Sequence, residues 1–161
     1  MVLGMSLSAF TTLHVVISLV GIVSGFIVVA GLFGAKKLPM WTLVFLATTA
    51  LTDLTGFLFP FDKLLPSHIV GILSLVVLAF TTLARYVLRL SGKARGIYVI
   101  GAVLSLYFNV FVLVVQGFHK VPSLHAMAPT DSEPPFAVAQ LAVVGAFAVL
   151  GFFSFRRFHP Q

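Results

Sequence analysis

The chain has 161 residues, of which 60% are hydrophobic and 9% charged, with a net charge of +6 and no cysteine. A soluble domain carries roughly 25% charged residues, so this chain cannot clothe a water-facing surface, and its mean hydropathy of +1.13 agrees. The missing cysteine excludes disulfides, thiolate catalysis, iron–sulfur clusters and Cys-based zinc sites. The basic residues sit at the ends of apolar runs, which suits anionic lipid headgroups rather than nucleic acid.

A spanning helix needs roughly 20 mostly apolar residues, and five runs qualify. The first covers about 8–33 and stops at Gly34-Ala35-Lys36-Lys37. No basic residue precedes it and it is too long for a signal's apolar stretch, so it reads as a retained membrane helix. The second covers about 39–59 and is ended by Pro60. The third, about 67–90, follows Pro66 and ends at Ser91-Gly92-Lys93. The fourth, about 96–118, has Pro122 beyond it, and the fifth, about 135–155, stops at Arg156-Arg157. Pro and Gly fall where helices should start and stop. Sustained alternation is lacking, and an open sheet cannot face lipid. The expected fold is therefore all-α, one integral membrane domain of five transmembrane helices.

Orientation follows from Lys and Arg. With the N-terminus outside and the C-terminus inside, the inner loops and tail hold Lys36, Lys37, Arg89, Lys93, Arg95, Arg156 and Arg157. The outer loops hold Lys63 and Lys120. Losing one helix destroys this bias. Asp53, Asp62, Asp131 and Glu133, the only acids, then all lie in the outer half or its loops.

Residues three and four apart share a helix face. Small and polar residues recur at that spacing: Thr11, His14, Ser18, Gly21 and Gly25; Thr42, Thr49, Asp53 and Gly56; His68 and Gly71, returning at Thr82 and Arg85; Tyr98, Ala102, Ser105, Asn109, Gln116 and His119; Gln140, Gly151 and Ser154. Such stripes mark the packed interior of a membrane bundle, where hydroxyls also bond their own backbone. Asp53 stands apart, because an intramembrane carboxylate is costly and marks a functional site by default. It lies about 9 Å below the outer boundary, and His14 lies at a similar depth, so His14 is its expected partner. Arg85, with no acid on its side, is expected to snorkel with Arg89 toward lipid phosphates.

These residues define an outer polar site of His14, Asp53, His68, Asn109, Gln116 and His119. It suits a small ligand, a proton, or a metal held by His14, Asp53 and His68. No two His have the i, i+4 spacing of a helical metal motif. A redox alternative has His14 and His68 ligating a b-type haem, or His and Asp holding a quinone headgroup. A third reading is a non-catalytic subunit that self-associates or packs in a larger membrane complex. No hydrolase, nucleotide or metalloprotease motif occurs, which points away from an enzyme. The segment from His119 to Pro135 is Pro-rich and polar and is expected to fold back as a lid over the outer mouth.

Three stretches, FLATTALTDLTGFLFPFDKLLPSHIVGI, LYFNVFVLVVQGFHKVPSLHAMAP and TDSEPPFAVAQ, resemble small polytopic bacterial membrane proteins to which no activity is assigned. The resemblance implies a multi-pass protein of the bacterial inner membrane and supplies no catalytic residues.

Overall fold

The computed structural model describes residues 1–61 and 66–160, so Asp62 and Lys63 of the charge count lie outside the described residues. All regular structure in them is helical: α1 (Leu7–Phe33), α2 (Pro39–Gly56), α3 (Pro66–Thr82), α4 (Ala94–Lys120), α5 (Pro122–Met127) and α6 (Pro134–Arg157). Local chemistry sets the boundaries. Ser6 caps α1, its Oγ accepting from the Ala9 amide at 3.2 Å. Proline occupies the first turns of α2, α5 and α6, where its missing N–H costs nothing.

Among the described residues four helices are long and apolar enough to cross a membrane: Leu7–Phe33, Ser67–Val87, Ala94–Lys120 and Pro134–Arg157. The second expected span differs. It ends at Gly56 rather than at residue 59, and its 18 residues include Asp53 and five threonines. That makes it about 27 Å long, and it is not one of the four. The third run also departs from expectation. Its α-helix stops at Thr82, and a π-helical turn over Leu83–Val87 follows, closed by the Leu88 amide on the Leu83 carbonyl at 2.9 Å. Arg89, Leu90 and Gly92 then take left-handed φ of 50°, 61° and 50°, which ends the helix before residue 90.

The long helices run up and down. Phe10 meets Phe59, Gly71 faces Phe57, and Phe118 meets Phe136 at one end. Thr42 meets Tyr98, and Gly96 faces Phe155, at the other. Lys36, Lys37, Arg85, Arg89, Lys93, Arg95, Arg156 and Arg157 therefore share a basic end, while Asp53, Asp131 and Glu133 lie toward the opposite, acidic end. α4 is central, packing on α1, α3 and α6. α6 lies on the flank, with only 11% of its apolar window buried.

Glycine permits the closest approaches. At Gly21 an added Cβ would stand 3.2 Å from Thr48 Oγ1, and at Gly25 it would stand 2.6 Å from Leu106 Cδ1. The apolar core, including Val28, Leu32, Phe45, Tyr98, Val99, Leu106 and Phe158, is concentrated between mid-bundle and the basic end.

Arg85 is half-buried rather than extended toward lipid. Its Nη2 donates to the Lys37 carbonyl at 3.1 Å, and its guanidinium lies 5.6 Å from the Tyr98 ring centre. The π-turn aims it there, and the carbonyl and ring replace the phosphate that snorkelling would supply. Arg95 plays a similar part on α6: its Nη1 donates to the carbonyls of Phe155 (3.0 Å) and Phe158 (2.7 Å), orphan acceptors at the helix end.

Candidate functional site

The six expected site residues do not converge on one point. Asn109 is buried mid-bundle, where its Nδ2 donates to Thr49 Oγ1 at 3.0 Å. Gly21 of α1 faces the same pair, so a cross-helix amide–hydroxyl link sits where three helices meet. The Thr42–Tyr98 hydroxyl pair, 3.2 Å apart, makes the equivalent link nearer the basic end.

His14 is half-buried in the α1–α2 seam. Its Nδ1 lies 2.8 Å from Thr55 Oγ1, and its ring meets Phe59 edge-on with centroids 5.2 Å apart. Thr55 spends its one proton on the Leu51 carbonyl at 2.6 Å. The hydroxyl must therefore accept from His14 Nδ1–H, leaving Nε2 as the imidazole's remaining nitrogen.

Asp53 is not His14's partner. Residues Asp53 and Thr55 lie two apart, about 200° around the helix, so the carboxyl points to the α2–α3 seam while Thr55 points to α1. The expected His14–Asp53 lock is corrected by this geometry: equal depth did not mean a shared face. The side chain that approaches the Asp53 carboxyl is Ser74 of α3. Ser74 is fully buried, and both its Oγ and Asp53 Oδ2 are enclosed without a completed hydrogen bond.

His68 is buried at the start of α3, its ring stacked on Phe57 (5.5 Å) and close to Phe61 (4.2 Å). No hydrogen bond or ring contact among the described residues joins it to His14. Nor does any group of three His, Asp or Glu among the described residues come together to hold a metal ion. The set of His14, Asp53 and His68 is instead divided between two seams and two aromatic surroundings.

Gln116 is exposed and makes no hydrogen bond among the described residues. His119 is also exposed, and its Nε2 contacts Asp131 Oδ2 at 2.6 Å. The segment beyond it packs locally. Leu124 of α5 rests near Gly117, and no hydrogen bond among the described residues carries the segment to His14 or Gln116. The segment is seen as a connector laid against α4. Glu133 gathers the Thr130 hydroxyl at 2.8 Å and the amides of Thr130 and Ser132 at 3.2 Å each. Those donors hold its carboxyl below the usual glutamate range.

Three residues central to this geometry escaped the stripes. Ser74 follows Gly71 by three positions, and that signal was present; the face runs His68, Ser74, Leu78, Thr81 and Arg85, whereas Thr82 is exposed. Thr55 lies off the α2 stripe, and Arg95 acts on carbonyls that no sequence pattern marks. Two surface grooves open elsewhere, at Ala50, Leu75 and Leu78 and at Lys93, Gly96 and Phe155, and neither is lined by His14, Asp53 or Asn109.

No family model, curated protein or solved structure matches this chain.

Proposed function

We propose that the chain is a five-span protein of a bacterial inner membrane, N-terminus outside, that binds and releases a proton at Asp53. Of the possible occupants of the outer polar site, a proton fits best. The observation that carries this is the buried Ser74 hydroxyl that approaches the Asp53 carboxyl, with Ser74 Oγ and Asp53 Oδ2 both enclosed and neither completing a hydrogen bond. A metal ion wants three or more protein ligands, and among the described residues no three His, Asp or Glu gather to hold one. A proton needs only the carboxyl and one neighbour. When the carboxyl carries it, the acid O–H donates to Ser74 Oγ; when it leaves, the serine O–H turns and donates to Oδ2. Both states then find a partner after a small approach of α3 to α2.

The way α2 satisfies its own polar side chains supports reading it as the fifth span. Its threonines satisfy themselves on backbone carbonyls, Thr48 on Val44 (2.7 Å), Thr52 on Thr48 (2.9 Å) and Thr55 on Leu51 (2.6 Å), so they enter the bundle at little cost. The separation of basic and acidic ends supports the orientation.

Infrared difference spectra of the purified protein in lipid, acid minus alkaline, test the site. The expected result is a protonated-carboxyl band that is absent in Asp53→Asn, shifted in Ser74→Ala and unchanged in His14→Ala. A folded Asp53→Asn variant with the parent's full carboxyl band would refute the proposal.

A further inference from the structure

We propose that the groove between the start of α4 and the end of α6 binds one anionic phospholipid, its phosphate at Lys93 and Arg95 and an acyl chain along Ile97, Ile100 and Phe155. The groove has a volume of about 440 Å³ and is lined by Gly92, Lys93, Arg95, Gly96 and those three apolar residues. Its chemistry is graded. The two cations stand at its rim, and Ile100, seven residues beyond Lys93, lies about 10 Å deeper along the helix. Cationic rim and apolar wall together match an amphiphile, and a free phosphate would use only the rim.

The cations have no carboxylate of their own. Among the described residues the only ion pair is His119–Asp131, at the acidic end. Arg95 is already oriented: the carbonyls of Phe155 and Phe158 hold Nη1, which fixes the guanidinium beside the groove without neutralising it. The Lys93 side chain makes no ion pair or hydrogen bond among the described residues. α4 begins there with no side-chain cap, so its N-terminal field adds to the attraction for phosphate. Gly96 leaves the floor open, since a Cβ there would stand 2.9 Å from Phe155 Cε2. The site is independent of Asp53, which lies at the other end of the bundle.

The test is native mass spectrometry of the purified full chain with phosphatidylglycerol or phosphatidylcholine added in detergent. One phosphatidylglycerol should be retained in preference to phosphatidylcholine, and inorganic phosphate should not displace it. Lys93→Gln should weaken retention about fivefold, the worth of one interfacial cation. Ile100→Trp should block the apolar wall and weaken it also, while Lys36→Gln, at the same end but outside the groove, should leave it unchanged. Equal retention of the two lipids, an equal loss in Lys36→Gln, or displacement by phosphate would each overturn the proposal. The second would mean a diffuse basic surface, and the third an anion site without a lipid.

Discussion

The stripe on α4 passes through two different environments. Tyr98, Ala102, Ser105 and Asn109 are buried, whereas Gln116 and His119, on the same face further along, are exposed. α1 repeats the gradient: Gly21 and Gly25 are buried, His14 and Ser18 are half-buried, and Thr11 is exposed. The basic half is thus a packed helical core with polar links between helices. The acidic half keeps the same patterning, but its polar side chains face seams, aromatic rings or the surface. Identical spacing therefore produces a core where the opposing residues are glycine and bulky apolar groups, and an accessible polar region where they are not. Stability should reside in the first half and proton chemistry in the second.

The same substitution should consequently act with opposite sign in the two halves. Gly101→Ala would drive a methyl group into Thr81. Thr81 is stiff at χ1, and its hydroxyl is tied to the Val77 carbonyl at 2.7 Å, so it cannot swing aside cheaply. A loss of about 1–3 kcal/mol is expected, as for other overpacked cores. At Gly56 an added Cβ would meet only His14 Cε1, at 3.9 Å, an ordinary contact. Gly56→Ala should be neutral or stabilising by up to about 1 kcal/mol, the usual advantage of alanine over glycine in a helix. Reversible unfolding of both variants in one detergent measures the difference. Equal losses would abolish the contrast between halves.

The polar links in the packed region should have measurable but smaller effects. A double-mutant cycle of Asn109→Leu with Thr49→Val isolates the 3.0 Å bond at the meeting of α1, α2 and α4. Bonds of this kind in membrane bundles average about 0.6 kcal/mol and reach about 1.7. The coupling here is expected in that range, because the site is buried and only one geometry serves both groups. A coupling within error of zero would mean that Asn109 is satisfied equally well without Thr49, and that packing alone aligns the three helices.

Much of the helical frame was legible because lipid-compatible apolar runs and their Pro and Gly boundaries are local signals. Stripe membership was also legible: Thr42, Thr49, Ser105 and Asn109 are all buried as their spacing implies. What spacing could not give was rotation between helices. Asp53 and His14 share a depth, but the 200° between Asp53 and Thr55 decides which neighbour each meets. The π-turn was equally hidden, since its cause is a change of hydrogen-bond register over Leu83–Val87 rather than a breaker residue. Arg85 consequently turns to the Lys37 carbonyl, a backbone acceptor that no side-chain pattern reveals. The connector after His119 held His and acids as expected, yet they engage one another and its own amides, leaving no polar reach toward His14.

The smallest expected effect lies in that connector and concerns pH. Glu133 accepts first from the Thr130 hydroxyl and then from the Thr130 and Ser132 amides, and these donors lower its pKa. A folded value below the unfolded one means that the carboxylate favours the folded connector at every pH above the ordinary glutamate value. That contribution is lost as the pH falls through the depressed folded value. Glu133 stands at the surface, where solvent screens its charge, so global unfolding should scarcely register the change. The local signal should be clear instead. Amide exchange at Thr130 and Ser132 should stay slow through the ordinary glutamate range and quicken only below it, and Glu133→Gln should remove that pH step. The Asn109–Thr49 region, at the other side of the polarity gradient, should show no matching step. Exchange at Thr130 that rises already at the ordinary glutamate value would mean that the hydroxyl and amides do not hold the carboxylate, and that the start of α6 is positioned by Pro134 and the Phe118–Phe136 contact alone.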